Sequence, residues 1–170
     1  KNDELIVLEI GPGSGNLLCK LKSYYNNATI VIVDIPQTIP FSYKNIKNQF
    51  PESITMLPND PKIESIFNNK KPFKDKVDFI FLTNEQIDLI PSNFINLAIN
   101  TASFGEMSYE DIKKYFKVLR RVVKIDNAFY CVNRVEKPMI VNNKKQSIDF
   151  YNYPWSINDK VIYNNLTNIH

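Results

Sequence analysis

The sequence predicts an α/β domain with a mainly parallel sheet, and three observations carry that prediction. Short apolar runs rich in β-branched residues recur along the chain, stretches with helical spacing separate them, and a glycine cluster joins the first run to the first helix. At 170 residues, positions 1–170 are expected to form a single domain. Hydrophobic residues are 44% and charged residues 23%, which excludes a disordered or collagen-like chain. Cys19 and Cys131 are the two cysteines; both sit inside apolar stretches, which suits a reducing, cytoplasmic setting and core roles. The net charge of +3 is too small to point to a nucleic-acid partner. No apolar run approaches the roughly 18 residues of a membrane span.

Leu5 to Ile10 is a near-continuous apolar run, the pattern of a central parallel strand covered on both faces. After Gly11-Pro12-Gly13-Ser14-Gly15, apolar residues recur with helical spacing from Asn16 to Tyr25. Thr29 to Val33 is a second strand, ending at Asp34. The spacing predicts a helix over Tyr43–Phe50, stopped by Pro51, and a short strand over Ile54–Leu57. Asn59 to Lys76 reads as a loop around a short helix, with the lysines Lys70, Lys71, Lys74 and Lys76 as a solvated face. Val77–Leu82 and Phe94–Asn100 are further strands. Ser108 opens the strongest helix, with Asp111 three residues on and an apolar face running from Tyr109 to Val123. Ala128–Asn133 is a fifth strand, and Ser147–Tyr151 and Lys160–Tyr163 are strand candidates joined through Tyr153-Pro154-Trp155. That aromatic segment reads as packing rather than sugar stacking.

Ligands of such sheets bind at the carboxyl ends of the strands. Three of the four glycines fall there, in the Gly11–Gly15 turn. Glycine serves where the backbone takes positive φ or a ligand approaches closely. The spacing is G-x-G-x-G, unlike the dinucleotide fingerprint. Glu9, two residues before the first glycine, disfavours a pyrophosphate and favours a cation. Asp34 lies 19 residues past Gly15, where a carboxylate can accept both hydroxyls of a ribose. Two carboxylates without a phosphate-binding lysine suit a nucleoside that carries positive charge.

The run V-L-E-I-G-P-G-S-G (Val7 to Gly15), followed by I-V-D (Ile32 to Asp34), resembles the first motif and the acidic second-strand tip of class I S-adenosylmethionine-dependent methyltransferases. N-T-A-S-F-G-E-M (Asn100 to Met107), Y-F-K-V-L-R-R (Tyr115 to Arg121), F-Y-C-V-N-R (Phe129 to Arg134) and Y-P-W are similar to the bacterial sugar O-methyltransferases. The likeness covers nearly the whole chain. Members of that family are usually longer at the N-terminus, which fits the expectation that a chain starting at Lys1 is a fragment.

The resemblance implies a Rossmann-like class I methyltransferase fold, a mainly parallel sheet with helices on both faces and an antiparallel C-terminal hairpin. It implies S-adenosyl-L-methionine as cofactor. Gly11, Gly13 and Gly15 then let the backbone approach its methionine part, and Glu9 helps hold its ammonium. Asp34 binds the ribose hydroxyls, and Ile35 packs on the adenine. The adenine amine meets Asn84, or Glu85, with Asn59-Asp60 as the rival position. Asn100 faces the donor methyl and the acceptor. No base-amine methyltransferase is implied, because that class carries Asn/Asp-Pro-Pro-aromatic where this chain has Asn100-Thr101-Ala102-Ser103.

Methyl transfer to a hydroxyl needs alignment and removal of a proton. The sole histidine is the last residue, His170, so Glu106 is the candidate general base; its alternative is a structural acceptor beside the helix at Ser108. Asn133 and Arg134 end the fifth strand, as substrate ligands for a sugar or its anionic group, or as a solvent-facing strand end. No metal-ligand spacing is present. The expected partner is a small-molecule or glycan acceptor. Two other readings stand beside this one: a nicotinamide-dependent oxidoreductase, and a degenerate cofactor-binding or assembly domain without catalysis.

Overall fold

The computed structural model describes residues 5–68, 77–141 and 144–164. Six parallel strands form one sheet: β1 (Ile6–Ile10), β2 (Thr29–Asp34), β3 (Thr55–Met56), β4 (Phe79–Thr83), β5 (Ile95–Thr101) and β6 (Val123–Val132), in the order β3-β4-β2-β1-β5-β6. Four helices connect them: α1 (Asn16–Tyr24), α2 (Ile39–Gln49), α3 (Lys62–Asn68) and α4 (Tyr109–Val122). From β1 the chain winds outward to β2 and then returns to β5 on the opposite side. The reversal of strand order therefore falls between β1 and β5, where doubly wound sheets place their ligands.

All five residues of β1 are buried, because helices cover both faces of the sheet. Val7, Ile30, Ile32, Phe79, Phe81 and Ile99 pack with Leu18 and Cys19 of α1 and Ile39 and Ile46 of α2. Leu8, Ile10, Val31, Val33, Ile80 and Ala98 pack with Ile63 and Phe67 of α3 and Ile112, Phe116 and Leu119 of α4. The alternation along each strand follows from the period of two in side-chain direction. Truncating a fully buried residue such as Leu8 to alanine costs about 2–5 kcal/mol.

Helix α4 starts where its cap predicts. The backbone N–H of Asp111 donates to Ser108 Oγ at 3.1 Å, Glu110 and Asp111 lie in the first turn, and Arg120 and Arg121 in the last. Helix α2 begins at Ile39 rather than at Tyr43. Pro40 sits in its first turn, where the missing N–H has no intrahelical partner to lose, so the proline starts the helix instead of preceding it. Strand β6 likewise begins at Val123, directly after α4, and its pairing with β5 shifts register between Ile95 and Leu97; Asp126 at φ 62° marks the irregularity.

The C-terminal hairpin uses other residues than the sequence suggested. β7 (Glu136–Val141) pairs antiparallel with β8 (Lys144–Asp149) in a separate two-stranded sheet. Lys160–Tyr163 forms no strand, a correction to the pattern reading. Those four residues are exposed, so their short apolar run is not packed against a sheet. Phe150–Asn152 instead makes a 3-10 turn, with the Tyr151 N–H donating to Asp149 Oδ1 at 2.8 Å. Tyr153, 4% exposed, then packs with Phe104, Phe116 and Phe150, and the Trp155 ring meets Phe116 edge-on at 4.9 Å. The Tyr-Pro-Trp segment is packing. The lysines at 70, 71, 74 and 76 and His170 lie outside the described residues.

Candidate functional site

The glycine turn leaves the carboxyl end of β1 at the reversal point. Gly11, Gly13 and Gly15 all have positive φ, 65°, 57° and 74°. Their surroundings differ. A Cβ on Gly15 would come 3.2 Å from Ser42 Cβ of α2, so that glycine lets α1 and α2 approach. A Cβ on Gly13 would meet nothing within 4 Å, so the backbone there borders open space.

Below the turn, Glu9 is 1% exposed. Its Oε1 accepts the Thr101 hydroxyl at 3.3 Å, while Oε2 is buried and has no hydrogen-bond partner among the described residues. Burial pushes its carboxyl up to about 7, the Thr101 hydrogen bond opposes this, and the Asp34 charge adds to it. A buried, orphaned carboxylate oxygen is costly unless a donor or a cation arrives. The arrangement fits a ligand that brings an ammonium group.

Asp34 closes β2, partly exposed, with its Oδ1 taking the Ile35 N–H at 2.8 Å. Ile35 follows, 47% exposed, an apolar side chain without a full packing partner. Asp34 pairs in register with Thr83 at the end of β4. Thr83 caps a 3-10 helix (Asn84–Leu89) through a reciprocal capping box with Gln86, and Asn84 is exposed at its first position. The sheet order therefore puts Asn84 beside the Asp34 tip. Asn59-Asp60 follow β3, one strand further out, and Asp60 Oδ1 accepts the Lys62 N–H at the start of α3. Glu85 is exposed next to Asn84.

Asn100 does not open onto this space. It is 0% exposed. Its amide donates to Ile10 O at 3.0 Å and to Ser103 Oγ, and its Oδ1 accepts the Asn133 amide at 2.8 Å and the Phe104 N–H at 3.4 Å. A carboxamide has two donors and two acceptor positions, and all four are filled. The expectation that Asn100 faces the methyl donor is corrected: it braces the turn that follows β5.

That turn is a short 3-10 helix (Ser103–Glu106), entered through Ala102 at φ 67°. Glu106 is exposed at its end. Asn133, partly buried, accepts the Gly105 N–H at 3.1 Å and donates to Asn100 and to Cys131 Sγ. It is committed largely to the turn, and one acceptor position on Oδ1 remains. Arg134 is exposed, with no ion-pair partner among the described residues.

Three residues the sequence reading left out belong to the site's frame. Thr101 supplies the donor to Glu9. Ser103 packs on Gly11. Tyr115 of α4, half-buried against Phe104, has its phenol pushed up to about 12 by burial and by the charges of Asp34 and Asp111. Helical spacing assigned Tyr115 to the apolar face, and nothing in a period distinguishes a phenol near a carboxylate from one in the core. Among the described residues, no three His, Cys, Asp or Glu side chains gather as a metal site.

No protein-family profile and no curated protein matches the chain. Solved structures do. A candidate O-methyltransferase from Nostoc punctiforme aligns at 12% identity and TM-score 0.52, over 74% of this chain and 31% of its own. Mitomycin 7-O-methyltransferase aligns at 11% identity and TM-score 0.51, over 81% of this chain and 33% of its own. Haemonchus contortus phosphoethanolamine N-methyltransferase 1, solved with phosphoethanolamine and S-adenosylhomocysteine, aligns at 11% and 0.50, over 75% of this chain and 22% of its own. The chain thus spans a third or less of the length of each. The fold is the Rossmann-like architecture of class I S-adenosylmethionine-dependent methyltransferases. No helix among the described residues is long and apolar enough to cross a membrane.

Proposed function

We propose that this chain binds S-adenosylmethionine and transfers its methyl group to a hydroxyl of a sugar or glycan precursor. The observation that supports this best is Glu9: a buried carboxylate with an orphaned oxygen, beneath a glycine turn that borders open space. Glu9 holds the ammonium group, directly or through water. The backbone at Gly11 to Gly13 lies along the methionine part, Asp34 accepts the ribose hydroxyls, Ile35 packs on the adenine and Asn84 meets its amine.

When bound, S-adenosylmethionine supplies a methyl carbon activated by a sulfonium centre. The chain contributes alignment and proton removal. Glu106, exposed on the turn beyond β5, would accept the proton of the acceptor hydroxyl on its carboxylate. Arg134, exposed at the end of β6, binds the acceptor and any anionic group on it; Asn133 offers its one remaining acceptor position.

The test is calorimetric titration with S-adenosylhomocysteine, with NADH as control, followed by radiolabelled methyl transfer to monosaccharides and nucleotide sugars. Micromolar binding of S-adenosylhomocysteine alone is expected. Binding of NADH instead supports an oxidoreductase and overturns the proposal. Cofactor binding without transfer to any acceptor points to a degenerate binding domain.

A further inference from the structure

We propose that Ser103 is a positioning residue for the glycine turn; the role rests on the reading of that turn as the cofactor site. A Cβ placed on Gly11 would fall 2.4 Å from both Cβ and Oγ of Ser103. Position 11 therefore requires glycine for two reasons: its φ of 65°, and a protein neighbour that occupies the space a side chain would take. The Ser103 hydroxyl donates to Ile10 O at 3.0 Å, and Asn100 donates to the same carbonyl at 3.0 Å. The next N–H, of Gly11, donates to Val33 O at 2.8 Å.

The start of the glycine turn is thus gripped from three sides: by the backbone of β2, by Asn100 from β5, and by Ser103 from the turn after β5. Beyond it the restraint falls away. Gly13 has open space where a Cβ would sit, and a local bond from Gly15 N to Pro12 O at 3.0 Å closes the turn. The direction in which the Gly11–Gly13 backbone faces its ligand is set at Ile10 and Gly11. Ser103 is itself held there: Asn100 donates to its hydroxyl, and Ala102 before it takes a left-handed conformation that non-glycine residues rarely adopt. Ser103 acts on the ligand through Gly11, from the turn that follows the strand carrying Thr101 to Glu9.

The test is calorimetric titration of S-adenosylhomocysteine into the chain and its variants, well below their melting temperatures. Wild type binds. Ser103→Ala removes the hydrogen bond to Ile10 O and the one accepted from Asn100, and affinity falls about three- to tenfold. Gly11→Ala lowers affinity more than tenfold, and adding Ser103→Gly to it recovers at least threefold, because relief of the clash with Cβ and Oγ outweighs the lost Ser103 hydrogen bond, while the φ penalty stays. Ser108→Ala, which loses a helix cap away from the turn, lowers the melting temperature and leaves affinity unchanged. That control separates positioning from general stability. If wild type binds and Ser103→Ala binds equally well, the positioning role is overturned and the cofactor reading stands. Failure of Ser103→Gly to recover any affinity in Gly11→Ala also overturns it. A wild-type chain that does not bind overturns both.

Discussion

Thr101 Oγ1 stands 3.3 Å from Oε1 of Glu9, and it is the one hydrogen-bond donor that this buried carboxyl group has among the described residues. The pair joins the last residue of β5 to the penultimate residue of β1, just before the glycine turn. It leaves the second oxygen of Glu9, Oε2, without a hydrogen-bond partner among the described residues. Burial raises its pKa to about 7, so near neutrality the group holds its proton in a large fraction of molecules.

A ligand ammonium favours the carboxylate, so binding releases that proton. Affinity for S-adenosylhomocysteine is expected to rise as pH increases from 6 to 8, and Glu9→Gln to weaken binding and flatten the rise. Stability moves the other way. The folded chain binds a proton that the unfolded chain, at the ordinary 4.5, has released, so the contribution is fully present below about 4.5 and is lost as pH rises through about 7. The upper bound is about 3 kcal/mol. Glu9→Gln should therefore raise the melting temperature at pH 8 and change it little at pH 5. An affinity profile that is flat in wild type shows that Glu9 does not hold the ligand.

Asp34 is read as the ribose ligand because it ends the strand beside β1, partly exposed, with one oxygen already on the Ile35 N–H. Asp34→Ala removes a charged acceptor of two hydroxyls. Hydrogen bonds to a charged group are worth about 1.5–3 kcal/mol, which is about ten- to a hundredfold in affinity. Calorimetry on Asp34→Ala and Asp34→Asn checks this, and an unchanged affinity in the alanine variant removes Asp34 from the site.

Glu106 stands on a turn whose position is fixed by Asn100, Ser103 and Asn133, while its own side chain is exposed. Glu106→Gln keeps the shape and removes the base. General-base catalysis contributes about 10²–10⁴-fold, so kcat for methyl transfer should fall by at least tenfold while S-adenosylhomocysteine affinity stays at the wild-type value. Loss of cofactor affinity in this variant reassigns Glu106 to the turn's structure.

The parallel core and the glycine turn were legible because strand burial and positive φ leave strong local marks: a near-continuous apolar run at Leu5–Ile10, and three of four glycines in five residues. Asp34 was legible as a strand-tip acid. The role of Asn100 was not, because its four partners come from residues 10, 103, 104 and 133, and no local pattern encodes them. Lys160–Tyr163 misled for a related reason: a short β-branched and aromatic run becomes a strand only when a partner strand or a packed face is present to cover it. The position of β4 between β3 and β2 was hidden as well, since strand order depends on which crossover the connecting helices allow.

The same limit hid the ion pair at the far end of the sheet. Lys22 lies in the last turn of α1, and no motif in the sequence marks it. In the structure its Nζ lies 2.7 Å from Asp78 Oδ1 and 2.5 Å from Ala28 O, with the two side chains 6% and 11% exposed. Asp78 Oδ2 takes the Ile54 N–H at 2.9 Å, so the pair ties α1, the start of β4 and the approach to β3 together. Removing one partner leaves a buried charge without its counterpart, at about 3–5 kcal/mol. Lys22→Ala should therefore melt well below wild type, and Asp78→Asn less so, because the amide still accepts through one oxygen. Below their melting temperatures both variants should bind S-adenosylhomocysteine as wild type does, since the pair lies at the amino end of the strands and Glu9 near the carboxyl end. Thermal unfolding followed by circular dichroism reads the first effect and calorimetry the second. A Lys22→Ala protein that melts with wild type would mean that Asp78 finds water once the lysine is gone, and that the pair adds nothing to the fold.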